Sequence, residues 1–245
     1  MGVIQVGTDV ETSRWSATLA HREPRVLAAV AIHPNEAPRL HQKGELTQAL
    51  AVIDELAALP RVVAVGETGL DFFRTPPELH EVQKDAFRAH IDIAKKHNVA
   101  LQIHDRDAHD AVVEVLLEVG APEKTVFHCF SGGPELAEIL RAHGWYASFA
   151  GTVTFTNSHG LRDALTVLPR SQILVETDTP FLTPVPSRGK PNSPYMIPFT
   201  VRAMAEVLSM DENLLSAQLS ANTIDVYGRF DDEPLHDMGS VLRGR

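Results

Sequence analysis

Four residues of metal-binding type, Glu67, His104, His128 and Asp178, each follow a short apolar run. The runs are RVVAVG before Glu67, VALQI before His104, TVF before His128 and QILVET before Asp178; AIHPNEA places His33 in a similar position. A single Glu or His after such a run ordinarily caps a loop. Two carboxylates and two imidazoles recurring in this way form a donor set. It suits a borderline divalent cation such as zinc, manganese or cobalt, and magnesium less well. Gly66 and Gly69 flank Glu67, as expected where a backbone turns sharply or comes close to a ligand.

The apolar runs read as strands: Val3–Val6, Arg25–Ile32, Arg61–Gly66, Val99–Ile103, Thr125–His128, Trp145–Ala150 and Gln172–Glu176. Helical periodicity separates them, over Glu45–Leu59, Leu79–His97, Ala108–Val119 and Pro134–His143, with further helical stretches over Pro194–Ser209 and Asp211–Gly228. Strands alternating with helices predict βα units on a parallel sheet. The strands are apolar throughout, as in a sheet covered on both faces. The expected fold is α/β, a TIM-type (β/α) barrel with about seven of its eight strands present. The carboxyl ends of such strands share one rim, where distant residues converge. No linker or repeat interrupts the pattern, so residues 1–228 are expected to form one domain. The polar, aperiodic stretch 229–245 is expected to be a mobile tail.

The chain has 245 residues, 44% of them hydrophobic, enough for a sizeable core. A net charge of −10 argues against non-specific gripping of long duplex DNA, which basic proteins do. It leaves room for an enzyme that meets nucleic acid at one cationic cleft. Cys129 is the single cysteine, so no internal disulfide forms, which fits a reducing cytoplasm. No apolar run approaches the roughly 20 residues of a membrane span, and the N-terminus lacks the pattern of a signal peptide.

The segments GETGLDF, QIHDRDA, FHCFSG, SFAGTVTF and LVETDTPFLTP, with AIHPNEA and RGKPNSP, resemble the TatD family of metal-dependent deoxyribonucleases. The motifs run from about Gly2 to Gly228. The resemblance implies an amidohydrolase-like barrel holding up to two divalent metal ions (Zn, Mn, Mg or Co) and hydrolysing phosphodiesters. On it, Glu67 bridges two ions, His104 and His128 complete one site, and Asp178 binds the other ion and holds or deprotonates the attacking water. The partner is then DNA, as single strands or ends. The family opens on a His-x-His pair, and none of the twelve histidines of this chain forms one. The first strand and helix of the barrel are therefore expected to be missing. That would cost the Asp178 site two imidazoles and leave an open edge through which copies self-associate.

Further residues have expected roles. Arg106 can hold a phosphate bidentately, or pair with Asp105 or Asp107. His33 matches a family histidine near the substrate. Ser131 and Gly132 can offer donors to phosphate. Arg188, Lys190 and Asn192 belong to a basic loop, PSRGKPNSP, that can contact nucleic acid. Glu176 is expected to orient a metal ligand from behind. Cys129 is expected to be a buried thiol, and Phe72, Phe73 and Phe155 to pack in core or loops, with base stacking at the rim as the alternative. Two alternatives stand beside the nuclease: another barrel metallohydrolase acting on a small amide, ester or phosphoester, or a truncated, catalytically impaired metal-binding protein.

Overall fold

A computed structural model describes residues 2–230 of the chain, so most of the expected tail lies outside the described residues. The described residues form two compact units, residues 2–125 with 227–230, and residues 126–226.

The first unit alternates strand and helix from its start. In chain order it contains β1 (Val3–Val6), α1 (Val10–Arg22), β2 (Val26–Val30), α2 (Ala37–Gln42), α3 (Leu46–Ala57), β3 (Val62–Asp71), α4 (His80–His97), β4 (Ala100–Arg106) and α5 (His109–Val119). Its strands are parallel in sequential order, with Val3 opposite Val26, Ala29 opposite Ala64 and Ala64 opposite Ala100. Residues 28–32, Ala64, Val65, Leu101 and Ile103 are fully buried, as apolar strands covered by helices require. Helix α1 starts on a capping box: Asp9 accepts from the Thr12 N–H, and Thr12 answers the Asp9 N–H. Its buried face is Ser13, Ser16, Ala17 and Ala20, small residues that let it lie close to the sheet.

Two strands run further than their apolar residues suggest. β3 continues from Gly66 through Glu67 to Asp71, and β4 continues through His104 to Arg106. Glu67 and His104 therefore project from strands, not from loops. The glycines explain the extension. A Cβ on Gly66 would collide with Gln102, and one on Gly69, at φ 131°, with the His104 carbonyl. Their function is to let β4 approach β3, with Gly69 opposite His104 and Asp71 opposite Arg106.

Behind this sheet, α4 buries His90 completely. Its Nδ1–H donates to the Ala86 carbonyl (2.7 Å), and its Nε2 accepts the Ile32 N–H (3.0 Å). The ring thus ties α4 to the backbone immediately before His33.

The second unit begins within β5 (Thr125–Phe127) and continues with α6 (Pro134–His143), β6 (Tyr146–Phe149), α7 (His159–Val167), β7 (Ile173–Val175), α8 (Ile197–Leu208) and α9 (Glu212–Tyr227). Val126 lies opposite Tyr146 and Ala147 opposite Ile173, again parallel. Helix α6 has Pro134 in its first turn and ends on Gly144 in the left-handed region. Side-chain amides close the base of this unit. Gln172 donates to the carbonyls of Leu140 and Trp145, and Asn222 of α9 to those of Arg170 and Ile173. Among the described residues, no helix is long and apolar enough to cross a membrane.

The His90 strut sets a pH dependence. Burial lowers its pKa from 6.5 to about 4, against the raising effect of the Ala86 bond. A depressed folded-state pKa stabilises fully above the unfolded value, and that contribution is lost as pH falls from 6.5 toward 4. Urea unfolding at pH 7 and near pH 4 should therefore differ by roughly 3 kcal/mol more in the wild type than in His90→Gln. Equal differences would remove His90 as the cause.

Candidate metal centres

In the first unit, β3, β4 and the segment after β2 bring Glu67, His104 and His33 together, with one ligand atom from each within 4.8 Å of the others. His104 Nδ1 lies 3.7 Å from Glu67 Oε2, and His33 Nε2 3.7 Å from Glu67 Oε1. The two imidazoles meet edge to face, centroids 4.5 Å apart. All three side chains keep 16–18% of their surface exposed, so the group is open to a ligand.

The proton positions separate the two histidines. His104 Nε2 lies 3.3 Å from Oδ2 of Asp71, a carboxylate only 1% exposed. With that nitrogen protonated toward Asp71, the Nδ1 lone pair faces Glu67 and is available to a cation. His33 is the reverse: its Nδ1 accepts the Asn35 N–H (3.1 Å), so the neutral ring carries its proton on Nε2. His33 thus enters the group as a hydrogen-bond donor.

Asp71, the aspartate of GETGLDF, had no role in the sequence reading. It is the hub of a buried network. Asn35 donates to its Oδ2 (2.9 Å), and the Arg74 N–H to its Oδ1 (2.9 Å). Gln83 accepts the Asp71 N–H and donates to Pro34 and Thr75. Burial would raise the Asp71 pKa; the His104 imidazole and hydrogen bonds from Asn35 and the Arg74 N–H outweigh it and hold the carboxyl well below the usual range. The sequence carried one faint signal, a second carboxylate four positions after Glu67 and so on the same face of an extended strand, but none for the distant donors that satisfy it.

In the second unit, His128, Glu176 and Asp178 supply ligand atoms within 4.8 Å of one another. Glu176 Oε1 takes His128 Nδ1 at 2.9 Å, and its Oε2 takes the Cys129 N–H at 3.0 Å. Burial, which would raise the Glu176 pKa, is overcome by the His128 imidazole bonded to it, helped by Ser148 and the Cys129 N–H, and the carboxyl is held below its usual value. The Nε2 lone pair of His128 is the one left to meet a cation, with Asp178. Cys129 stands in the left-handed region at φ 43° and is half-buried; this turn aims its N–H at Glu176. Asp178 is also left-handed, at φ 55°.

Other expected residues fall as follows. Asn192 is buried: its amide donates to the Thr177 and Phe181 carbonyls, 2.7 Å each, and accepts the Ser193 N–H. It clamps the loop that carries Asp178 and has no donor left for substrate, unlike the contact expected for it. Ser131 is exposed after β5, whereas a Cβ on neighbouring Gly132 would strike Leu136. Arg106 and Arg188 each lie over a phenylalanine, Phe73 at 4.0 Å and Phe155 at 4.1 Å. Phe73 is 61% exposed and so is no core residue. Asp105 takes His109 at 2.6 Å, while Arg106, for which an acid partner was the alternative to a phosphate contact, lies on Phe73.

Each unit thus offers a carboxylate and an imidazole whose second nitrogen faces an acid, buried Asp71 in the first unit and half-buried Glu176 in the second. That donor set fits a divalent ion of the zinc or manganese kind. An α/β barrel with such donors defines a metallohydrolase. The family model for TatD-related DNases matches residues 1–228, and the chain belongs to that family. It is 42% identical over 231 residues to the uncharacterized metal-dependent hydrolase TatD of Mycobacterium tuberculosis, covering 92% of this chain and 85% of that one. With the hydrolase YabD of Bacillus subtilis it shares 36% identity, covering 85% and 80%. The crystal structure of YJJV, a TatD homologue from Escherichia coli, superposes with a TM-score of 0.85 at 26% identity, covering 93% and 86%. The protein is a metal-dependent hydrolase of TIM-type α/β barrel fold, with seven strands among its described residues.

If Asp71 fixes the His104 ring, Asp71→Asn should weaken binding of a divalent ion by roughly 10–100-fold. Titration of the folded variant against a fluorescent chelator measures this. Wild-type affinity in the variant would assign Asp71 to folding alone.

Proposed function

We propose that this hydrolase cleaves phosphodiester bonds of DNA, acting on single strands or ends. The observation that carries the reading is Arg106, two residues beyond His104 on β4 and stacked on an exposed aromatic ring, in a chain of net charge −10. An acidic protein has little general attraction for polyanions, so a guanidinium beside the donor group supports a substrate with a phosphate at that point.

Glu67 with His104, and His128 with Asp178, are the residues that would hold divalent cations. When bound, such ions supply Lewis acidity at a phosphoryl oxygen and lower the pKa of water. The chain's own groups do the rest. Asp71 and Glu176 keep the two imidazoles in one tautomer and orientation. His33 presents its Nε2–H to a phosphate oxygen. Asp178 accepts the proton of the attacking water, and the Asn192 clamp fixes its loop.

Manganese-stimulated cleavage of an end-labelled single-stranded oligonucleotide tests this. Glu67→Ala should abolish cleavage while its circular dichroism and melting stay those of the wild type. Asp178→Asn should lower kcat roughly 10²–10⁴-fold. Full activity in either variant, or cleavage of small esters with none of DNA, would sink the proposal.

A further inference from the structure

Phe73 stands two residues beyond the end of β3, and its backbone neighbour Phe72 donates its N–H to the Arg106 carbonyl (3.0 Å). Asp71, Phe73 and Arg106 are thereby fixed to the strand pair that carries Glu67 and His104. The Phe73 ring is 61% exposed, with the Arg106 guanidinium 4.0 Å above its centroid. Among the described residues, Arg106 makes no hydrogen bond or ion pair through that guanidinium. Arg74, next in sequence, is exposed and uses only its backbone N–H, on Asp71.

Folding stability does not account for this placement. An exposed cation–π pair contributes less than burying the same ring would. Phe72, one residue earlier, does find packing, stacked on His80 with centroids 3.6 Å apart. Phe73 is instead held outward by a strand end, while Arg106 keeps all its N–H donors uncommitted. An aromatic face beside an unpaired guanidinium is the combination that takes a base and its phosphate in sequence-tolerant single-strand binding. Arg106 stands two residues along β4 from His104, about 7 Å outward at the usual strand rise.

We infer that Phe73 and Arg106 form a nucleotide subsite, in which an unpaired base of the DNA strand stacks on the Phe73 ring and the adjoining phosphate is held by Arg106. This rests on the DNA reading of the preceding section and gives it a strand preference: a base locked in a duplex cannot reach the ring. The second unit contains a pair of the same make, Arg188 over Phe155, in the loop expected to be basic.

The test is fluorescence anisotropy with the manganese-loaded protein, using a labelled phosphorothioate oligothymidylate and an abasic strand of equal length. The wild type should bind the oligothymidylate about tenfold more tightly than the abasic strand, and Phe73→Ala should bind both alike. Phe73→Trp should restore the difference. Arg106→Ala should reduce the slope of log Kd against log salt by about 0.7, one phosphate contact. Equal affinity of wild type and Phe73→Ala for oligothymidylate, or a wild type indifferent to the bases, overturns the subsite while leaving DNA cleavage standing. A wild type that hydrolyses bis(4-nitrophenyl) phosphate yet neither binds nor cleaves any oligonucleotide overturns both.

Discussion

A carboxylate placed behind a histidine is the constraint on which the chemistry of this protein depends. Asp71 stands 3.3 Å behind Nε2 of His104, and Glu176 accepts from Nδ1 of His128; each acid favours a proton on that nitrogen and so decides which lone pair faces the open side. An unsupported imidazole would rotate and exchange tautomers, and its affinity for a cation would fall. The surroundings exist to make a buried negative charge tolerable. Asn35, Arg74 and Gln83 organise Asp71; Cys129 and Ser148 organise Glu176. Removing any one donor leaves a desolvated acid less satisfied, so these polar residues are tied to the site as firmly as the ligands are.

The backbone is adapted to the same end. β3 and β4 are drawn together at Gly66 and Gly69 because no side chain intervenes, and this sets Glu67 beside His104. In the second unit, residues at positive φ do comparable work. Cys129 turns its N–H toward Glu176, and Asp178 leaves the strand in a loop that Asn192 clamps. His90 belongs to the same logic one layer deeper, since it fixes the backbone leading to His33 by being buried and uncharged.

Much of this was legible in the chain. Apolar runs and helical periodicity located the seven strands of the described residues, and residue type together with position after those runs singled out Glu67, His104, His128 and Asp178. The boundaries were less legible, because strand β3 runs on through Glu67, Thr68 and Asp71, which carry no apolar signal; glycine-permitted pairing with β4 holds them extended. The short helices α1, α2 and α7 were also faint, α1 because its buried face is serine and alanine. Asp71 was invisible as a positioning group since its partners Asn35, Gln83 and His104 are far away in sequence. Asn192 was expected to contact nucleic acid, and Phe73 to pack in core or a loop. An amide in a Pro-rich loop looks solvated until the carbonyls it bonds are known, and a phenylalanine looks buried until an arginine is found lying on it.

The central claim is that carboxylate-anchored imidazoles in this chain hold a divalent cation. Elemental analysis of the purified protein, soaked in manganese or zinc and dialysed against metal-free buffer, tests it most directly. The account predicts at least one retained ion per chain in the wild type and loss of retained metal in Glu67→Ala combined with Asp178→Ala. A wild type that retains none, or a double variant that retains as much as the wild type, would contradict it.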